Sequence, residues 1–347
     1  MQIEIPKQIA FDDIQFCYDN GKKELTCLKP VIKDNKLEIS GKYYSKYATI
    51  LVHFPSDNRT HYYHSFWITD KPAKIKFFTK QTDSTSIDYE LTNVVDVWKM
   101  GEKLMKDFIR VEEKVFVDFL SKNGNNWTTN DSLVRKFMVL NQKLLNKKLD
   151  FIQKNGNLYY SLFLFRREVL FTDLSADTLK YIFNKSFKRN LKQTYEGIYI
   201  QNFLNGRMLS VGKQAPFFKV LDINGRRVLL DSLGNKFTLL VFWASWCKPC
   251  IQEIPEIKKI REQYSKDKLE IIFVSLDIDS SKFDAATKKY DMQWTHIWGN
   301  EELPNLYGIT SIPIMYLINK SGKIVYARDQ EKEGKLDVLN SVLADVK

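Results

Sequence analysis

The 347-residue sequence has no long hydrophobic run. No stretch reaches the ~18 apolar residues that a membrane-spanning helix needs, so no such helix is expected. The first residues, MQIEIPK, lack the apolar core of a secretory signal. Two expectations stay open: a cytosolic protein, or a mature form whose export signal is not part of this sequence.

The sequence is also poor in residues that build metal sites and hydrolytic sites. It has four histidines, and three of them (His53, His61 and His64) fall within a short N-terminal stretch. On a strand, His61 and His64 would point to opposite faces, so a shared metal is not expected. No phosphate-binding loop or catalytic triad is present, and no bound cofactor is expected.

The net charge of +11 comes from 53 Lys+Arg and 42 Asp+Glu. Residues 207–347 hold 21 basic and 18 acidic residues, which leaves 32 and 24 for residues 1–206. The basic residues occur as scattered pairs such as Lys22-Lys23, not as a dense run. Solvated helix faces explain this pattern more simply than nucleic-acid binding, which is not expected.

Two of the four cysteines form a Cys-Lys-Pro-Cys motif, Cys247 to Cys250, in a specific context. An apolar run at 239–243 predicts a buried strand, residues 244–246 a turn, and the segment from Ile251 a helix. The first turn of a helix favours an anion, so the pKa of Cys247 should fall below the usual value of roughly 8.5. Cys250 lies about one turn away, within reach of a disulfide with Cα atoms ~5–6 Å apart. It should face inward, so Cys247 at the helix edge is predicted to be the exposed thiol. Strand, turn, Cys-x-x-C and helix together predict a redox pair.

The segment FWASWCKPC at 242–250 resembles the active site of the thioredoxin superfamily. The continuation IQEIP at 251–255, the lead-in VGKQAPFF at 211–218 and ITSIP at 309–313 resemble its TlpA/ResA-like branch. The resemblance covers about residues 209–347. It implies a thiol-disulfide oxidoreductase that works outside the cytoplasmic membrane, on protein substrates, with electrons from a membrane donor.

Further site residues follow from the motif and from the resemblance. Lys248 places a cation beside Cys247, and Pro249 removes an N–H that the first helical turn does not use. Glu253 lies three residues after Cys250 on the same helix face. In the resembled branch the matching glutamate tunes the cysteine pKa values and passes protons, whereas thioredoxin has an acid at the position of Val241.

The resemblance also implies substrate contacts. Pro313 matches the family's cis-proline, and Ile312 precedes it. Trp246 and Trp294 would line the site. The helix is expected to kink at Pro255.

The sequence predicts a multidomain fold, with an N-terminal all-β sandwich-like domain (1–91), an α-helical connector (92–206) and a C-terminal α/β thioredoxin-like domain (207–347). The N-terminal strands are predicted at 11–18, 25–28, 36–42, 49–54, 62–68, 74–79 and 86–91. An apolar stripe from Val94 to Phe119 predicts one long helix, followed by helices at about 130–153 and 179–204. Asn130 or Asp131 is predicted to cap the second of these helices. The C-terminal elements are predicted at 217–222, 227–230, 237–243, 251–266, 270–276, 281–290, 314–318, 323–328 and 335–346. Asn224-Gly225 predicts a hairpin between the first two, and 237–243 is predicted as the central strand.

Cys17 and Cys27 flank Asn20-Gly21 in the first domain. A two-residue turn there would place Cys17 opposite Glu24, which favours free buried thiols, whereas a longer loop would allow a disulfide.

Thiol–disulfide exchange is the predicted function, and reduction of exported proteins its expected direction. One alternative is a thiol peroxidase of the peroxiredoxin-like branch, although the threonine of that branch's reactive loop is missing. The other is a binding protein in which the N-terminal domain has the main role.

Overall fold

The computed structural model describes residues 2–4, 15–19, 26–28, 32–33, 36–38, 46–53, 63–80, 83–124, 128, 130–230, 236–300, 302–328, 339 and 341–343. The chain divides into two compact units, Met1–Ile200 and Gln201–Lys347. The predicted three-domain division stays a prediction. No helix among the described residues is long and apolar enough to cross a membrane.

The first unit begins with two five-stranded sheets, ordered β4-β5-β1-β8-β9 and β10-β7-β6-β2-β3. The strands are β1 (Gln2–Glu4), β2 (Gln15–Asp19), β3 (Thr26–Leu28), β4 (Ile32–Lys33), β5 (Lys36–Glu38), β6 (Ala48–His53), β7 (Tyr63–Ile68), β8 (Lys74–Lys80), β9 (Asp83–Thr92) and β10 (Val94–Asp96). One apolar cluster draws on both sheets: Ile3 and Ile75 come from one, Phe16 and Phe66 from the other. The sheets therefore pack face to face, because each buries one side of its strands.

The pairing of β2 with β3 corrects the sequence prediction for the cysteines. Cys17 lies directly opposite Cys27, not opposite Glu24. This register is not that of a two-residue turn at Asn20-Gly21, and Cys17 is disulfide-bonded. His61 and the side chains of His53 and His64 lie outside the described residues.

Helices follow, and the last of them begins in the first unit and ends in the second. They are α1 (Val97–Asn123), α2 (Asp131–Lys154), α3 (Tyr159–Leu164), a π-helical turn (Phe165–Val169), α4 (Ala176–Ser186), α5 (Arg189–Lys192) and α6 (Tyr195–Gly206). Asn130 caps α2 as predicted, since its Oδ1 accepts hydrogen bonds from the backbone N–H groups of Ser132 and Leu133.

Two helix predictions were wrong in their bounds. Val94 belongs to strand β10, and α1 begins only after Asp96, whose carboxylate accepts the Lys99 N–H. The predicted helix 179–204 is three helices. Phe187 is extended, and a Cβ on Gly197 would lie 2.3 Å from the Leu191 carbonyl oxygen. The glycine therefore allows the close turn between α5 and α6.

The second unit contains a hairpin and a five-stranded sheet ordered β15-β14-β13-β16-β17. The elements are β11 (Lys219–Leu221), β12 (Arg227–Leu229), β13 (Phe237–Trp243), α7 (Lys248–Gln263), β14 (Leu269–Ser275), α8 (Ser280–Lys289), β15 (Thr295–Ile297), α9 (Glu302–Leu306), β16 (Ile314–Ile318) and β17 (Ile324–Arg328). Strand β15 and helix α9 were missed in the sequence. Most of the predicted helix 335–346 lies outside the described residues.

Strand β13 is the centre of this sheet, as predicted. It pairs parallel to β14 and antiparallel to β16, and all seven of its residues are buried. Val241 and Trp243 face the apolar cluster that also contains both motif cysteines, whereas Leu240 and Phe242 face the cluster on the other side. Helices and loops cover both faces of this sheet. The sheet is mixed, because β13 is parallel to β14 and antiparallel to β16. This is the arrangement of a thioredoxin-like fold.

Candidate active site

The end of β13 places Cys247 at the start of α7. The Cys247 N–H donates to the Ala244 carbonyl at 3.1 Å and closes a tight turn. Cys247 is the N-cap of α7, with φ −81° and ψ 96°, and its Sγ accepts the Cys250 N–H at 3.3 Å. The helix begins at Lys248, three residues earlier than predicted, with Pro249 in its first turn. A thiolate on Cys247 would thus lie at the positive end of the helix dipole.

Cys247 and Cys250 are joined by a disulfide with their Cα atoms 5.3 Å apart. Cys250 begins the buried stripe of α7, which continues through Ile254, Ile257 and Ile260. We expected Cys247 to be clearly more exposed than Cys250, but in the disulfide form their exposures are 5% and 4%. Position at the helix cap, not exposure, distinguishes the two cysteines here.

Glu253 lies one turn beyond Cys250 and contacts a cation that the sequence analysis did not identify. Its Oε1 accepts a hydrogen bond from Nη1 of Arg328, the last residue of β17. The side chains are 13% and 25% exposed. Within the described part of the chain, Glu253 Oε2 is buried without a hydrogen-bond partner. The carboxylate therefore keeps one acceptor atom unused.

Burial and the ion pair act on Glu253 in opposite directions. Burial raises the pKa of the Glu253 carboxyl, while Arg328 lowers it through its charge and its hydrogen bond, and the net direction is upward. The Glu253 charge also contributes to the raised pKa of Tyr326, whose main cause is burial.

A buried carboxylate just after the neighbouring strand β14 holds the turn before Cys247. Asp277 Oδ2 accepts the Ser245 N–H at 2.9 Å, and Oδ1 accepts the Ser245 hydroxyl at 2.6 Å. Ser275 Oγ donates to Oδ2 at 2.8 Å, and Trp298 Nε1 donates to the Asp277 carbonyl at 2.8 Å. Asp277 was not among the residues predicted from the sequence. Its position just after a strand parallel to β13 was the available signal, since the carboxyl ends of parallel strands meet at one sheet edge.

The remaining predicted residues have different surroundings. The Ile312–Pro313 peptide bond is cis, as the resemblance implies. Ile312 packs against the cluster that contains both cysteines. Trp246 is 67% exposed beside Cys247. Trp294 packs on Phe273 with ring centroids 4.8 Å apart, and its role at the site stays a prediction.

Two further predictions concern α7. Lys248 is exposed, so its cation projects where solvent screens it. Helix α7 continues through Pro255 without interruption, and the expected kink at this residue stays a prediction.

A strand leading into a Cys-x-x-C helix, a cis-proline and a mixed five-stranded sheet define a thioredoxin-like redox protein. A family profile described as the AhpC/TSA family matches residues 211–327. Thiol-disulfide oxidoreductase ResA of Bacillus anthracis is 33% identical over 133 residues, which cover 37% of this chain and 75% of ResA. Thioredoxin-like protein YneN of Bacillus subtilis is 30% identical over 157 residues, 43% of this chain and 88% of YneN.

The solved structure of a thiol-disulfide oxidoreductase from Bacteroides fragilis is 27% identical to this chain in sequence, with a TM-score of 0.35. The match covers 39% of this chain and 100% of the solved chain. Because this chain is 33% identical to ResA over three quarters of the length of ResA, it belongs to the ResA-like family of thiol-disulfide oxidoreductases.

Proposed function

We propose that the chain reduces disulfides of exported proteins by thiol–disulfide exchange at Cys247 and Cys250. The disulfide at the N-cap of α7, with a buried carboxylate on the same helix, is the observation that supports this most strongly. The names of the relatives support the reaction class.

The reaction begins from the dithiol. The Cys247 thiolate attacks one sulfur of the substrate disulfide, and the other substrate sulfur leaves as a thiolate that takes up a proton. The product is a mixed disulfide through Cys247. The position of Cys247 at the helix cap favours this sulfur as the nucleophile, because an anion there gains the Cys250 N–H and the helix dipole.

Resolution uses the second cysteine. Cys250 gives its proton to Glu253, and its sulfur attacks Cys247, which releases the second substrate sulfur as a thiolate. Two electrons have then passed to the substrate, and the protein is left with the Cys247–Cys250 disulfide. A membrane donor would return two electrons to this pair.

The setting of the reaction is part of the same proposal. Protein disulfides persist in oxidising compartments outside the cytoplasm. The disulfide at Cys17 therefore supports a periplasmic or cell-envelope location. Trp246, Ile312 and Pro313 would contact the substrate polypeptide beside the cysteines.

Trapping of substrate tests the roles of the two cysteines. Cys250→Ser should accumulate mixed disulfides with exported proteins, because the first attack proceeds and resolution does not. Peptide mass spectrometry should locate the link at Cys247. Cys247→Ser is the matched control and should trap nothing.

Two results would contradict the proposal. One is trapping by Cys247→Ser but not by Cys250→Ser, which would reverse the roles. The other is rapid peroxide consumption by a wild-type protein that does not reduce insulin, which would make it a thiol peroxidase.

A further inference from the structure

A cavity of about 560 Å³ lies within the first unit, among β7, α1, α2, α3 and the π-helical turn. Its inner wall is apolar and buried, formed by Val97, Met105 and Leu164. This volume falls in the range of roughly 300–1,000 Å³ of small-molecule sites. It lies in the first unit, which does not contain Cys247 and Cys250.

Aromatic side chains form the walls of this cavity. Trp98, Tyr160 and Phe163 line it, and Trp98 is half exposed. Phe163 packs edge-on against buried Trp67 with ring centroids 5.0 Å apart, and Tyr160 does the same with Phe151 at 6.1 Å. Because these partners fix two of the walls, the cavity is preformed for a flat apolar body.

A glycine inside α1 allows Tyr160 to lie where it does. A Cβ on Gly101 would come within 2.3 Å of Tyr160 Oη. Glycine in a helix interior is less favourable than alanine by roughly 1 kcal/mol. The close approach of the ring is the compensating feature, and Gly101 itself lines the cavity.

The charged side chains around the cavity favour an anion. Lys106, Lys148 and Arg167 line it together with Glu102 and Glu168. Lys148 Nζ lies 2.5 Å from Glu168 Oε2, so these two charges neutralise each other. Among the remaining charged residues described in the lining, Lys106 and Arg167 outnumber Glu102, an excess of one positive charge.

Two wider observations agree with this. Residues 92–206 carry 19 basic and 12 acidic side chains, so the surrounding field is positive. Arg167 lies on the π-helical turn Phe165–Val169, and such turns inside helical segments are frequent at functional sites.

We propose that this cavity is a binding site for a small amphipathic anion. An aromatic body would lie against Trp98, Tyr160 and Phe163, and one acidic group would face Arg167 and Lys106. Such a site gives the first unit a ligand of its own, independent of the cysteine chemistry.

A pair of fluorescent probes tests both halves of the proposal on the full chain. 8-Anilinonaphthalene-1-sulfonate has an aromatic body and a sulfonate, whereas N-phenyl-1-naphthylamine has the same rings without the charge. The sulfonate should bind saturably at one site. Arg167→Glu should weaken it about tenfold, because reversing this exposed charge at the rim of the cavity turns attraction into repulsion. The neutral probe should bind Arg167→Glu as it binds wild type.

Two further variants complete the test. Lys143→Glu makes the same charge reversal on the exposed face of α2 and should leave sulfonate binding unchanged. Ser65→Phe places a ring inside the cavity and should abolish binding of both probes while insulin reduction is kept. Equal effects of Arg167→Glu and Lys143→Glu, no saturable binding, or full binding by folded Ser65→Phe would each overturn the proposal.

Discussion

Glu253 combines partial burial with a cation contributed by another element. Its carboxyl has an upward-shifted pKa because burial outweighs the pull of Arg328. A carboxylate with a raised pKa is a better proton acceptor near neutral pH than an ordinary one. Arg328 keeps that rise in check. In the proposed resolution step, the pair would therefore set the pH above which Glu253 accepts the Cys250 proton.

The pH dependence of resolution should report this balance. The resolution rate should rise with pH through the raised Glu253 pKa and level off above it, since only the ionised carboxylate accepts a proton. Glu253→Gln should slow resolution by a factor of about 10²–10⁴ and remove the rising limb of this pH profile, while the rate of the first attack stays the same. Arg328→Gln should move the limb to higher pH, because both lowering influences are lost and burial remains. Single-turnover kinetics of both steps across pH measures this.

Arg227→Gln is the matched control, since it removes the same charge from an exposed position on β12. It should leave the limb in place. A limb that is unchanged in both Glu253→Gln and Arg328→Gln would mean that the Cys250 proton passes to water and that the ion pair is only structural.

The turn between β13 and α7 is held by a residue just after the neighbouring strand. Asp277 follows β14 and accepts both the backbone N–H and the hydroxyl of Ser245, two residues before Cys247. A buried carboxylate with three donors fixes the path of the chain into the helix cap. Elements that are distant in sequence therefore set the geometry of the nucleophile.

Removing this carboxylate should affect both stability and the first chemical step. Asp277→Ala leaves the Ser245 N–H and two hydroxyls without their acceptor, so the unfolding free energy should fall by about 1–3 kcal/mol. The attack of Cys247 on a small disulfide should slow, because the cap is less well ordered. Urea unfolding and stopped-flow kinetics measure the two effects. Asp284→Ala, on the exposed side of α8, should change neither; similar behaviour of the two variants would refute the role of Asp277.

The sequence predicted elements well where the signal was local. The apolar run at β13, the Asn130 cap and the hairpin around Gly225 each depend on neighbouring residues, and all three were confirmed. Predictions failed where tertiary packing decides. The apolar stripe that includes Val94 does not show that the helix begins only after Asp96, which caps it. Nothing near Cys17 indicates a register other than that of a two-residue turn at Asn20-Gly21.

The same division holds for the site. The cysteine spacing and the position of Glu253 on α7 could be read from one segment, although the helix begins three residues earlier than predicted. Arg328 reaches Glu253 from 75 residues away, and the sequence does not indicate which helix the end of β17 faces. The cavity at Trp98 and Tyr160 likewise joins two helices, so it has no sequence signature.

At the scale of the whole molecule, the direction of electron flow depends on how well the reduced pair is stabilised. Strong oxidants of this fold stabilise their reduced form. Here the helix cap would stabilise a Cys247 thiolate. The same thiolate would lie in a buried apolar cluster, and burial raises the pKa of a thiol. Glu253, once ionised, adds a negative charge on the same helix. The reduced form should therefore gain little, which favours a reductase.

The reduction potential of the Cys247–Cys250 pair tests this account most directly. The full chain is equilibrated in dithiothreitol redox buffers, and alkylation followed by peptide mass spectrometry gives the reduced fraction at these two residues alone. We expect a value nearer to the about −270 mV of thioredoxin than to the about −120 mV of DsbA. A potential close to that of DsbA would contradict the account and make the protein a donor of disulfides.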